Sequence, residues 1–278
     1  MAVVKSIGAQ EIRANTFEKH DTLKSILVYD ATIKHYDVEI TEKVIDKAIV
    51  SGNCKGYNGI KVILLSDRLL KIGDSAFENC INLTKVELPN SIAIIGKNAF
   101  RNCKQLSSIE ILGGATGTPC NIEEGAFYNC TSLTNLTLSS HIGAIGVQSF
   151  YNCTSLANLA LPNYIDTIGA QSFYNCSKLK RIKLPDKLRK IEPYTFLDCV
   201  ALEEVEIGKN IELIDNGAFD NCNSLKTITI ETENPPQIKG KFSLNSSVKI
   251  YVPNNKIVDY QCQWGAYRSQ IEGLSSKP

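Results

Sequence analysis

Apolar residues return along this chain at one spacing. Phenylalanine stands at Phe77, Phe100, Phe127, Phe150, Phe173, Phe196, Phe219 and Phe242, each 23 residues after the last except for 27 between Phe100 and Phe127. Around the first seven, the same offsets are filled each time. Isoleucine lies five residues before, from Ile72 through Ile214, and cysteine three after: Cys80, Cys103, Cys130, Cys153, Cys176, Cys199 and Cys222. Leucine lies six after, from Leu83 through Leu225, and an aliphatic pair nine and eleven after, from Val86/Leu88 through Ile228/Ile230. A two-residue spacing puts side chains on one face of a strand, while Phe, Cys and Leu at three-residue spacing fit a tight helical turn. Each unit therefore predicts a strand, a corner, a short strand and a helical turn.

One unit has too few apolar side chains for a core of its own. Stacked units would set parallel strands about 4.8 Å apart and turn each register position into a continuous apolar ladder. A fixed period of this length is the signature of a solenoid. The small residue before each phenylalanine (Ala76, Ala99, Ala126, Ser149, Ser172, Thr195, Ala218) and the glycines Gly73, Gly96, Gly146 and Gly169 suit a corner where backbone runs close to backbone. Pro89, Pro162 and Pro185 follow the strand and end it, because proline cannot donate to a ladder.

The register Ile-Gly-x-x-Ala-Phe-x-Asn-Cys-x-x-Leu-x-x-Ile-x-Leu-Pro resembles the BspA-like leucine-rich repeat family over about residues 7 to 271. That resemblance implies a right-handed leucine-rich-repeat solenoid on the surface of a host-associated bacterium or a parasitic protist. It implies adhesion or protein binding, and no catalytic motif. Glu123, Glu192 and Asp215 replace the corner glycine, so the family's pattern does not by itself define the backbone at those corners.

A stack grows by accretion, so 278 residues read as a single domain. Residues 1–68 form a divergent N-terminal repeat and cap, 69–252 the regular repeats and 253–278 a C-terminal cap. Formal net charge is +1, with 30 basic and 29 acidic residues, so no bulk charge favours nucleic acid or an anionic membrane. No apolar run reaches the roughly 20 residues of a membrane span. The first residues show neither the basic nor the apolar region of a secretory leader. Family resemblance implies the cell surface or secretion, whereas many unbridged thiols fit a reducing compartment.

Seven of the ten cysteines occupy one register position, so they should point the same way, about one strand spacing apart. That exceeds the usual 3.5–4.5 Å between disulfide Cβ atoms, and a parallel row cannot converge on zinc. They are expected to be buried free thiols. Cys54, Cys120 and Cys262 lie outside the register and are the candidates for exposed chemistry. His20, His35 and His141 are scattered, and no triad order or metal-ligand spacing appears, so no enzyme, metal or cofactor is implied.

Outside the regular repeats, Ile12, Phe17, Leu23, Ile26 and Val28 repeat the unit's offsets in a first, divergent copy. Residues 41–52 read as a short helix with Thr41 as N-cap, or as a degenerate repeat with Val50 at the phenylalanine position. Residues 113–120 hold the four extra residues of the long interval as a corner loop. Tyr260, Trp264 and Tyr267 are expected to cover the last repeat, with sugar stacking as the alternative.

Candidate binding residues are those at freely varying outward positions. On the main sheet these lie eight and ten after phenylalanine, and include Asn135, Asn158, Arg181/Lys183 and Glu204/Glu206, a basic step beside an acidic one. Such a step can pair internally or form a polarised docking patch. Tyr128, Tyr151 and Tyr174 would line up on the turn side, either covering one another or binding a partner or sugar. The asparagines two after phenylalanine, from Asn79 through Asn221, are assigned to structure, satisfying corner groups or adopting a left-handed conformation. The reading is a non-catalytic binding or adhesion module whose partner is a protein or a glycan, acting as a monomer. A spacer of a longer surface protein and an intracellular scaffold are the alternatives.

Overall fold

Alternation of outward polar and inward aliphatic residues yields two short strands per coil, and each pairs in parallel with its copy one coil away. The computed structural model describes residues 55–56, 69–114, 118–240 and 242–277, with the backbone of the strands Ile26–Val28, Ala48–Ile49 and Val62–Leu65. The first sheet runs in the order Ile26–Val28, Val62–Leu65, Lys85–Glu87, Ser108–Ile111 and Asn135–Leu138. It resumes with Arg181–Lys183, Glu204–Ile207, Thr227–Ile230, Lys249–Val252 and Ile271–Gly273. Among the described residues, an isolated bridge between Asn135 and Asn158 is what enters the interruption. The second sheet, from Ala48–Ile49 to Thr167–Ile168, breaks in the same region and resumes at Lys190–Ile191.

Register follows the sequence period. Val86 pairs with Ile109, which pairs with Leu136; beyond the break, Ile182 pairs with Val205 and Val205 with Ile228. Ile26 and Val28 pair with Ile63 and Leu65, so the strand of the divergent first copy does carry the unit's offsets. The helix expected over residues 41–52 is corrected where it is described: Ala48–Ile49 is a strand, with Ile49 opposite Ile72. Backbone pairing with the strand one coil on outweighs weak local helix preference there. Counted back from Phe77, the 23-residue period then reaches Cys54 rather than Val50, and Cys54 itself lies outside the described residues.

The helical turn on the third side is tight. Ala76 N–H donates to the Gly73 carbonyl at 3.3 Å, and Cys80 N–H to that of Phe77 at 3.2 Å, both three residues back. From Phe77 to Phe219, the residues two before and two after each register phenylalanine interrupt these bonds with a positive φ, as at Gln148 (54°) and Asn152 (59°). Their N–H groups turn outward along the stack: Ser75, Phe77 and Asn79 donate to Lys97, Ala99 and Arg101 of the next coil at 2.7, 2.8 and 2.7 Å. Alternate amides thus close the turn while the others join coils, so the turn side is laddered almost as a strand is.

Inside, the phenylalanine rings from Phe77 to Phe219 stack with centroids 5.2–5.5 Å apart. All seven are fully or almost fully buried, as are the leucines six residues after them and the isoleucines five before. Burying each such side chain contributes about 1.5–3 kcal/mol, and none could be buried without the neighbouring coil. Corner glycines serve close approach: a Cβ on Gly96 would lie 2.5 Å from Asp74 Oδ1 and 2.7 Å from the Ile72 carbonyl oxygen. At the departing corner Asp215, the carboxylate instead accepts the Asn216 N–H at 2.7 Å and meets Lys190 at 3.1 Å.

The stack ends at Phe242, whose ring meets Trp264 and Tyr267 edge-on at 5.8 and 5.4 Å. Helix Ile257–Gln263 carries buried Tyr260 into that end, and the Trp264 Nε1–H donates to the Pro236 carbonyl at 2.9 Å. Gln270, which the pattern of apolar positions did not mark, donates to the carbonyls of Asn245 and Val248 at 3.0 and 2.9 Å.

Candidate binding surface

Outward residues of the first sheet come from strands whose inward partners are locked in the core, so their side chains stand on a rigid frame. Arg181 lies opposite Glu204 and Lys183 opposite Glu206 in strand register. The pairs are closed: Arg181 Nε is 3.4 Å from Glu204, and Lys183 Nζ is 3.3 Å from Glu206 and 3.8 Å from Glu231. Hydrogen bonding to Glu206 pushes the Lys183 ammonium above its ordinary pKa. The basic step therefore spends most of its charge on the acidic step, although three-quarters of the Arg181 side chain remains exposed.

Part of the outer face is covered by the chain itself. Thr229 and Tyr251 point outward in register yet are 6% and 5% exposed. Lys277, beyond the last strand, reaches Glu206 at 4.0 Å, and Ser275 is tied to the Asn254 side chain at 3.1 Å. The terminal segment thus crosses the C-terminal third of the face. Nothing in sequence periodicity signals this, because the segment lies after the last repeat.

Toward the N-terminal side the face stays open and carries two recesses. One, of about 360 Å³, lies over Lys85–Leu88, Ser108–Glu110 and Leu112. The other, of about 410 Å³, lies over Leu136, Asn158–Ala160 and Arg181. Asn135 and Thr137 line both, so they form one channel across successive strands. The structure thus brings Asn135, Asn158 and Arg181 into one recess and leaves Lys183, Glu204 and Glu206 to its side as paired charges. Glu110, not singled out from the sequence, stands exposed in the first recess with no ion-pair partner among the described residues, while Lys85 and Glu87 pair at 2.5 Å.

The tyrosines stand on another side of the coil. Tyr128, Tyr151 and Tyr174 stack at 4.6 and 4.4 Å with interplanar angles of 4° and 1°, and the Arg101 guanidinium lies 4.1 Å from the centre of the Tyr128 ring. Sugar recognition by stacking needs an open ring face, and here both faces of Tyr151 and the inner faces of Tyr128 and Tyr174 are covered by one another. Tyr174 is hydrogen-bonded to Asp198, and this bond, with burial behind it, pushes its pKa up to about 12. Beside the column, Asn102, Asn129, Asn152 and Asn175 each donate their amide to the asparagine one coil earlier at 2.6–2.8 Å.

Buried cysteines form the inner counterpart. Cys80, Cys103, Cys130, Cys153, Cys176, Cys199 and Cys222 are free and buried, as the register argued. Cys120 does not belong with the exposed candidates: it is fully buried on the strand Cys120–Ile122, whose pattern of inward and outward residues turns it to the core. Cys262 is exposed. Among the described residues, no group of three or more His, Cys, Asp or Glu side chains could hold a metal ion, and no helix is long and apolar enough to cross a membrane.

A parallel β-solenoid of about nine turns, with repeats of about 23 residues, little helix and an open outer sheet face, defines a leucine-rich-repeat protein. The chain belongs to the BspA-type leucine-rich repeat family, whose repeat-region model matches residues 10–118 and 120–249. No curated protein matches it. Among solved structures it is similar to the pneumococcal vaccine antigen PcpA, with 21% identity and a TM-score of 0.51, over 77% of this chain and 66% of that one. A T. pallidum leucine-rich repeat protein is 24% identical over 64% of this chain and 71% of its own, with a TM-score of 0.47. One from Bacteroides ovatus is 20% identical over 82% and 71%, with a TM-score of 0.43. The chain thus spans about two thirds of the length of the pneumococcal antigen, a likeness of fold.

Proposed function

We propose that the protein is a non-catalytic binding module that takes a protein partner on the outer face of its first sheet, in an adhesive or scaffolding role. The observation that carries this reading is the continuous channel over Ser108–Glu110, Asn135–Thr137 and Asn158–Ala160, left open while the C-terminal third of the same face is covered. Residues 1–68 and 253–278 act as its caps, and the regular repeats between them supply the surface. Ala160 is the small outward residue of the second recess, so Ala160→Trp fills the channel from a position that is exposed and outside the core.

Binders selected from a displayed peptide library against the wild-type protein test the reading. At least tenfold weaker binding to Ala160→Trp, with an unchanged melting temperature, is the expected result. Binders that keep wild-type affinity for Ala160→Trp, but lose it when Tyr128, Tyr151 and Tyr174 are replaced by serine, would move the site to the tyrosine column.

A further inference from the structure

The channel ends on opposite charges. Glu110, at one end, has no ion-pair partner among the described residues, and its outward neighbour on the next strand is Thr137. Arg181, at the other, meets Glu204 through Nε, and among the described residues no hydrogen bond or ion pair engages its terminal nitrogens. Between them the outward side chains are neutral and short: Asn135, Thr137, Asn158 and Ala160. The exposed side chains of Leu112 and half-buried Leu88 flank the acidic end.

Backbone hydrogen bonding is also incomplete at the basic end. The sheet ladder is broken between Asn135–Leu138 and Arg181–Lys183, and only Asn158 forms a bridge there. Among the described residues Leu159 and Ala160 have no backbone ladder partner, and these two residues lie in the wall of the recess.

We infer that the channel binds an extended peptide segment of a partner protein, running across the strands, with a basic residue over Glu110 and an acidic residue over Arg181. The inference rests on the outer-face reading above and adds the chemistry of the occupant. Its geometry sets the spacing. Three strand steps of about 4.8 Å separate the two coils by about 14 Å, and the shift of two residues along the strand adds about 7 Å at right angles, for a span of about 16 Å. At about 3.4 Å per extended residue this places the two charges about four to five positions apart. Arg181 offers a planar fork for a carboxylate, and Glu110 offers an acceptor pair for an ammonium or guanidinium. The neutral middle accepts small polar side chains and repels neither sign.

Synthetic peptides with blocked ends test this, each holding one lysine and one aspartate in a serine-threonine chain at spacings from two to eight positions. Affinity for the wild-type protein is expected to peak at a spacing of four or five, about tenfold above the shortest and longest peptides. Glu110→Gln should remove the contribution of the lysine, and Arg181→Gln that of the aspartate, each flattening the peak. Peptides that bind the wild-type protein and are blocked by Ala160→Trp, yet show no preferred spacing, overturn this inference and leave the outer-face reading standing. No binding at any spacing, or a peak that survives both charge-removing variants, also overturns it. Binding unaffected by Ala160→Trp overturns both.

Discussion

The Sγ of Cys153 lies 3.3 Å from the carbonyl oxygen of Phe127, in hydrogen-bonding contact with the preceding coil. Cys103, Cys130, Cys176, Cys199 and Cys222 repeat the contact with Phe77, Phe100, Phe150, Phe173 and Phe196 at 3.1–3.5 Å. The register thiol is thus a small core residue that also gives a second hydrogen bond to a buried carbonyl already bonded within its own turn, which an alanine could not do.

Burial pushes the thiols of Cys120, Cys153 and Cys222 up to about 12, so almost no thiolate exists near neutral pH. Maleimide labelling of the native protein should modify Cys262 and spare Cys120 and the seven register cysteines. Unfolding without reductant should make all eight reactive. Labelling of a register cysteine in the native state would contradict the packing.

Asn152 combines a left-handed backbone (φ 59°) with a place in the amide ladder, donating to Asn129 at 2.6 Å and accepting from Asn175 at 2.7 Å. Asn152→Ala should cost about 2–3 kcal/mol, from backbone strain of roughly 1–2 and two amide bonds of roughly 0.5–1.5 each, partly regained through water. Asn152→Gly keeps the conformation and should cost less than Asn152→Ala. Denaturant titrations giving the opposite order would refute the backbone argument.

Ser149 and Ser172 are fully buried, and their hydroxyls have no hydrogen-bond partner among the described residues. Alanine fills the same register position at Ala76, Ala99, Ala126 and Ala218. Removing an unsatisfied buried hydroxyl recovers its desolvation cost, so Ser149→Ala and Ser172→Ala should each stabilise by about 1 kcal/mol. A lower denaturation midpoint for both would show that the hydroxyls are satisfied in solution.

Burial raises the Asp215 pKa, but the Asn216 amide and the charges of Lys190 and Lys239 outweigh it and hold the carboxyl below its ordinary 3.8. A depressed folded value means that the stabilisation is complete above about pH 4 and is lost as pH falls through the folded pKa. Melting curves of Asp215→Asn should therefore show a shallower decline below about pH 4 than the wild type. Parallel acid limbs would remove Asp215 from the account of acid stability.

Asp198 ends the asparagine ladder, because an ionised carboxylate accepts from Asn221 at 2.7 Å but cannot donate to Asn175. It accepts from Tyr174 instead, and the protonated phenol is favoured until about pH 12. Since the folded value is raised, that contribution is full below the ordinary 10.0 and is lost as pH climbs through about 12. Asp198→Asn should bring the phenolate absorbance of Tyr174 back toward 10 and join Asn175 to Asn221 through one more amide. An unchanged alkaline titration would exclude Asp198 as the cause.

Much of the fold could be read in advance because every register position has one physical duty in every coil. Phe, Leu and Ile at their offsets leave only one face to bury, and a coil of this size can bury it only against its copies, so strand register and thiol ladder followed directly. The positive φ at Ser75, Gln148, Gln171 and Tyr194 is not legible from those residue types; Asn98, Gly125, Gly217 and Gly240 at the same position are what hint at it.

The sequence by itself determined the solenoid, the inward set from Leu69 to Ile230 and the outward positions from which a binding surface can be built. Only tertiary structure decided which outward residues are free. Arg181 and Glu204 pair because strand register sets them side by side, and Tyr128, Tyr151 and Tyr174 hide one another's faces because the coil rise matches aromatic stacking distance. Lys277 reaches Glu206 because the terminal segment turns back over the sheet, and the open channel lies where the ladder skips Leu159 and Ala160. A repeat dictates what each coil does alike; competition among exposed groups for neighbours is settled in space, by residues that have no fixed offset in the chain.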